Sequence, residues 1–258
     1  KNQKIPIHLM QHGLIFDTND ALQMNKHQGV MGYDVDYQLV WGKIDYDYRK
    51  SQGFDTEKII KIGSPIYDGF LNLNTPNRDY ILLATSGPTE EDIFDLTLDT
   101  INKNIQTIKK ISKIVSSMNH DLIIKTHPSP DEFDPTKILE KINPNIQIIK
   151  SGNISNLIKN CSLMIVIDFS SVILDSHLMK KPVISISVKN NGYGSPTAFS
   201  NASCITSNVE NLENNIRIIL EKKYTEQVQN GLNSATDYIT NIGCSSEKLL
   251  SFLAQNPN

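Results

Sequence analysis

From Tyr80 onward the chain alternates short apolar runs with helical patterns, and this alternation constrains the fold more than any other feature. It is the signature of βαβ units, hence of a parallel sheet with helices on both faces. Tyr80 to Thr85, Leu122 to Lys125, Ile146 to Ile149, Leu163 to Ile167 and Val183 to Ile186 read as strands, rich in Ile and Val and bounded by Gly, Pro, Asn and Asp. Between the first two, Phe94, Leu98, Ile101, Ile105, Ile108, Ile111 and Val115 recur at spacings of three or four, one apolar stripe on a helix. Thr89 suits its N-cap, with Glu90, Glu91 and Asp92 where the helix dipole favours acids. Further helices are expected near Thr136 to Ile142, Ile154 to Lys159, Val172 to Met179 and Val209 to Lys222. Residues 76–258 thus read as one complete doubly wound α/β domain with C-terminal helices.

The first 75 residues differ. Ile5 to Met10, Tyr37 to Trp41 and Ile59 to Ile62 are strand-like, but sheets of two or three strands are marginal alone. Asn72 to Asp79, with Pro76 and three Asn, has linker composition. Residues 1–75 are therefore expected to be the later part of a first α/β domain whose opening strands are absent or lie upstream.

Composition narrows the function classes. A net charge of -3 gives no basic field for nucleic acid. No stretch approaches the roughly 18 to 20 apolar residues of a membrane span. Cys161, Cys204 and Cys244 are far apart and lack metal-ligand spacing, so neither a disulfide framework nor a zinc site is expected, and the cytosol is the default compartment.

Four strand ends carry groups suited to chemistry. In Ile167-Asp168-Phe169-Ser170-Ser171-Val172 an apolar strand runs into two hydroxyls at a helix start. Free N–H groups and the helix dipole make a phosphate site there, to which Ser170 and Ser171 would add donors. The same serines also suit a plain helix cap. Lys125-Thr126-His127-Pro128 ends a neighbouring strand candidate, aiming Lys125 or His127 at the same crevice, where an imidazole donates to a phosphate oxygen. A surface-loop histidine is the plainer alternative. Gln11-His12-Gly13, with Asp17 beyond, follows another strand: His12 is a candidate general base, and Gly13 would let the backbone turn beside a substrate. Ser86-Gly87-Pro88 is either a bare-backbone approach to phosphate or a tight turn. Gly63-Ser64-Pro65 with Asp68 reads as a helix start, and residues 191–196 as a loop able to close over a ligand.

In this order, Gln11-His12-Gly13, Gly63-Ser64-Pro65-xx-Asp68, Lys125-Thr126-His127-Pro128 and Asp168-Phe169-Ser170-Ser171-Val172, followed by Asp175 and Lys181-Pro182-Val183-Ile184, resemble the GT-B transferases of surface polysaccharides. The likeness is greatest to the CDP-glycerol glycerophosphotransferase and capsule-polysaccharide group. The resemblance implies two Rossmann-like domains, the first incomplete in this chain and on the acceptor side, the second binding a nucleotide donor. His127 would match the family's HP histidine and Ser170 and Ser171 its paired hydroxyls, all at the donor phosphates with Lys125, Ser86 and Gly87. His12 would match the HG histidine that takes the acceptor proton, flanked by Gln11, Gly13 and Asp17. The implied donor is CDP- or CMP-linked before UDP-linked, with no metal or further cofactor required. The implied acceptor is a glycan or lipid-linked molecule, met in the cytoplasm or at the inner face of the membrane. Two positions depart from the family: Met10-Gln11 where an aromatic residue is usual, and Ser86-Gly87-Pro88 where a basic residue is. The alternatives are an enzyme like the UDP-N-acetylglucosamine 2-epimerases, and a non-catalytic nucleotide- or glycan-binding half.

Overall fold

A computed structural model describes residues 5–70, 79–85, 98–128, 134–168, 170–188, 192–199, 204–222 and 224–256. The chain forms two compact units, one of residues 1–73, 192–198 and 233–258, the other of residues 74–191 and 199–232. The residues expected to form the linker lie mostly outside the described residues, as do Phe94, Thr89 and the acids after it.

The first unit holds a parallel three-stranded sheet in the order β1-β2-β3, from β1 (His8–Met10), β2 (Tyr37–Val40) and β3 (Ile59–Lys61). Two helices that sequence periodicity did not reveal, α1 (Leu22–His27) and α2 (Lys43–Ser51), connect them. The reason is visible in α2, whose inward face is Asp45, Tyr48 and Arg49 rather than an aliphatic stripe. Around the sheet, Ile15, Met31 and Tyr48 cluster with Leu22, Val30 and Phe54.

The second unit is a six-stranded, wholly parallel sheet: β4 (Tyr80–Ala84), β5 (Asp121–Lys125), β6 (Gln147–Ile149), β7 (Leu163–Ile167), β8 (Val183–Ile186) and β9 (Ile205–Ser207). The strand order is β6-β5-β4-β7-β8-β9, the doubly wound order 3-2-1-4-5-6. The helices are α3 (Leu98–Ser117), α4 (Thr136–Leu139), α5 (Ile154–Asn160), α6 (Val172–Leu178) and α7 (Leu212–Lys222). The α3 stripe packs as its spacing requires, with Ile108, Ile111 and Val115 buried against Ile81, Leu83, Leu122 and Ile124 of the sheet and Ile216 and Ile219 of α7. Val209–Asn211 form a separate 3-10 turn before α7.

Two further helices follow, α8 (Thr225–Tyr238) and α9 (Ser245–Gln255). Residues 192–198 and 233–258, expected in the second domain, group with the first unit instead. Hydrogen bonds to the backbone at the exits of β2 and β3 hold the second of these segments there. Thr240 N–H donates to the Trp41 carbonyl at 2.9 Å, and Asn241 Nδ2 donates to that of Ile62 at 3.1 Å. Gly63, at φ +88°, leaves room for this: a Cβ there would stand 2.2 Å from the Thr240 carbonyl oxygen. The helix start expected at Gly63-Ser64-Pro65 is present but short, with Ser64 at the N-cap and Asp68 at the C-cap rather than in the first turn of a longer helix. Pro65–Tyr67 is a 3-10 turn, and the Asp68 carboxylate caps α9.

Candidate functional site

In a doubly wound sheet ligands bind beyond the carboxyl ends of the strands, at the point where strand order reverses. In the second unit this point lies between β4 and β7. Asp168 leaves β7 with φ +55°. Its N–H donates to the Ile186 carbonyl at 2.9 Å, and its Oδ1 accepts the Val188 N–H at 2.7 Å, so the exits of β7 and β8 are fastened together. This tie delivers Ser170, half-buried, and Ser171, exposed, to the start of α6. Ser171 occupies the N-cap position, yet its side chain makes no capping hydrogen bond, so the plain-cap reading does not account for its hydroxyl.

On the other side of β4, β5 ends in Lys125, Thr126 and an exposed His127. Strands lie about 4.8 Å apart, so the ends of β5 and β7, on either side of β4, are separated by about 10 Å. Ser86 and Gly87, directly after Thr85 at the end of β4, lie outside the described residues. Lys125 departs from expectation. It is buried, and its ammonium donates to the carbonyls of Thr126 at 2.7 Å and Lys150 at 3.0 Å. The second of these bonds ties it to the residue that follows β6.

The first unit has an equivalent edge, where β1 runs into Gln11-His12-Gly13. His12 is exposed, whereas Gln11 is buried and hydrogen-bonded on both ends of its amide: Oε1 accepts the Trp41 N–H at 2.9 Å, and Nε2 donates to the Gly13 carbonyl at 3.0 Å. Gly13 has no positive φ, and the Cβ of any larger residue there would meet nothing within 4 Å, so no backbone demand for glycine is found. Asp17 is half-buried and its Oδ1 accepts the Thr197 N–H at 2.9 Å. Thr18 Oγ1 donates to the Tyr193 carbonyl, and the Phe16 and Tyr193 rings meet edge-on at 5.9 Å. The loop expected to close over a ligand is thus anchored at residues 193–197 on the Phe16 to Thr18 segment, and Asp17 serves as its anchor.

Sequence reasoning missed Asp45. This residue of α2 is fully buried; burial pushes its carboxyl up to about 7, against the pull of Arg49, with the Gln11 amide alongside. Arg49 is itself buried, donating from Nε to Gln38 Oε1 at 2.5 Å and from Nη2 to the Val30 carbonyl at 2.9 Å. A Lys-Ile-Asp-Tyr-Asp-Tyr-Arg run reads as a solvated face; only the i, i+4 spacing of Asp45 and Arg49 hinted at a pair. Among the described residues no three His, Cys, Asp or Glu side chains gather as a metal site requires, and no helix is long and apolar enough to cross a membrane.

No protein-family model matches the chain, and no curated protein matches its sequence. Solved structures do resemble it in fold. MnaA of S. aureus, solved with UDP, superposes with a TM-score of 0.67 at 13% identity, over 98% of this chain and 68% of that one. The UDP-GlcNAc 2-epimerase of Neisseria meningitidis, bound to UDP-GlcNAc, gives 0.65 at 14% identity, over 98% and 70%. The wall teichoic acid polymerase TagF gives 0.58 at 14% identity, over 97% and 66%. The chain therefore spans about two thirds of each of these proteins. It has an α/β fold of the GT-B, Rossmann-like type.

Proposed function

We propose that the chain belongs to a nucleotide-dependent glycosyltransferase or glycerophosphotransferase of capsule or other surface-polysaccharide biosynthesis, with a cytidine nucleotide on the donor. The observation that carries this reading is the pair Ser170 and Ser171 at the strand-order reversal, with the Ser171 hydroxyl at an N-cap that it does not cap. The fold likeness to TagF and the ordered HG, HP and SS motifs support it. In the proposed reaction an acceptor hydroxyl attacks the donor while His12 takes its proton. The bond to the nucleotide breaks, and the charge left on the departing phosphate is offset by His127, by Ser170 and Ser171, and by the α6 N–H groups. Lys125 holds its backbone rather than touching phosphate.

A second reading, an activity like that of the 2-epimerases, is favoured by one further observation. Such chemistry needs a carboxyl group able to exchange a proton near neutrality, and Asp45 is pushed up to about 7. Its complete burial argues against direct contact with a sugar.

The two readings separate in one assay. CDP-glycerol, a CMP-linked sugar and UDP-GlcNAc are each incubated with the protein, with and without polyol or glycan acceptors, and nucleotide release and sugar configuration are followed. The transferase reading predicts cytidine-nucleotide release that requires an acceptor and is lost in His12→Ala. Conversion or release of sugar without any acceptor overturns it in favour of the epimerase reading.

A further inference from the structure

We infer that Gln11 is a positioning residue rather than a substrate contact, holding the turn that presents His12. The inference rests on the reading of His12 as the proton acceptor, and it reassigns the residue beside it. A carboxamide offers one oxygen acceptor and two N–H donors. In Gln11 the oxygen takes the Trp41 backbone N–H at 2.9 Å, and the nitrogen gives one proton to the Gly13 carbonyl at 3.0 Å. The Asp45 carboxyl oxygens are buried without a hydrogen-bond partner, and the Gln11 amide is among the groups that draw that carboxyl down against the effect of burial. The main chain adds two more ties, as Gln11 N–H donates to the Leu39 carbonyl at 3.0 Å and the Trp41 indole N–H donates to the Gln11 carbonyl at 3.0 Å. The residues on either side of His12 are therefore fixed to each other and to the exit of β2, while the imidazole itself stands exposed. With 7% of its surface accessible and its amide engaged at both ends, Gln11 has little left to offer a substrate.

The bonding also explains why the residue is an amide. Glutamate would keep an oxygen for the Trp41 N–H, but its second oxygen would face the Gly13 carbonyl, an acceptor, where the amide now places a donor.

The test is histidine-selective NMR on the full chain, with the His12 ring signal assigned by its loss in His12→Gln. Gln11→Met, which keeps the volume, and Gln11→Glu are expected to shift and broaden the His12 signal, Gln11→Glu the more, while the His120 signal stays in place. Gln11→Asn, an amide one methylene shorter, serves if either larger change prevents folding, and is expected to move the same signal. Once a donor is identified, kcat should fall at least tenfold in Gln11→Met with the donor KM within twofold. A folded variant with an unmoved His12 signal overturns the inference, whether or not the protein proves to be a transferase. Absent turnover in the natural chain, with the signal still moved, overturns the functional reading alone.

Discussion

Asp68 and Ser245 are joined across 177 positions of sequence: one carboxylate oxygen of Asp68 accepts the Ser245 N–H at 2.8 Å, and the other accepts the Ser246 N–H at 2.8 Å. These are first-turn donors of α9, which no intrahelical carbonyl can satisfy. The acid of the Gly63-Ser64-Pro65-xx-Asp68 motif thus caps a helix contributed by the end of the chain.

Removing that cap should be felt in stability. Asp68→Ala is expected to lower the unfolding free energy by about 1 kcal/mol, read by urea denaturation at neutral pH. Although burial works to raise the Asp68 carboxyl, hydrogen bonds from Ser246 and Ser245 hold it below the ordinary value. Its contribution is present above the unfolded-state carboxyl range and is lost as pH falls through the folded value, so the difference between Asp68→Ala and the natural chain should shrink in acid.

His177 gives a second acid-side signature. Burial alone pushes its imidazole down to about 4, and neither ring nitrogen has a hydrogen-bond partner. The unfolded chain binds this proton more readily, so the contribution is present above about 6.5 and is lost as pH falls toward 4, by at most about 3 kcal/mol. Denaturation midpoints at pH 7 and pH 5 should differ less in His177→Met than in the natural protein.

Asp45 should act in the opposite direction. Its folded value is raised to about 7, so the stability it contributes is present in acid, below about 4, and is lost as pH rises through about 7. Asp45→Asn should therefore gain stability relative to the natural chain between pH 4 and pH 8. A difference that is flat across this window would show that Asp45 is charged throughout.

In the proposed reaction His127 stabilises charge on the departing nucleotide. Loss of such a donor typically costs about 2.7 to 4 kcal/mol in the transition state, so His127→Ala should lower kcat on the order of a hundredfold or more. An unchanged rate would remove His127 from the mechanism.

Much of the second unit was legible because its signals are local. The α3 stripe residues Ile108, Ile111 and Val115 and the apolar run Leu163 to Ile167 state both their element and their burial. The strand Ile205–Ser207 was missed because only one of its three residues is apolar. Helix α8 carries Val228, Leu232, Ala235 and Tyr238 at helical spacing, but diluted by Asn, Gln, Ser and Thr. What no local pattern announces is long-range: that Asp68 caps α9, that Asp17 anchors Thr197, and that Gln11 bonds Trp41. The strands that precede His12, His127 and Ser170-Ser171 were legible because each is an apolar run ended by polar residues. The bonds of Lys125 to the Thr126 and Lys150 carbonyls were not legible, because sequence gives a side chain's place on a strand, not the carbonyls within its reach.

A nucleotide phosphate site at the carboxyl ends of β5 and β7 is what the proposed chemistry requires before anything else. Calorimetric titration of the chain with CMP, CDP, UMP, UDP, GDP and ADP, repeated for the best ligand on the Ser170→Ala/Ser171→Ala double variant, tests this directly. The predicted result is preferential binding of a cytidine nucleotide, weakened at least tenfold in the double variant. Binding that the double variant leaves unchanged, or no binding by any of the six, would contradict it.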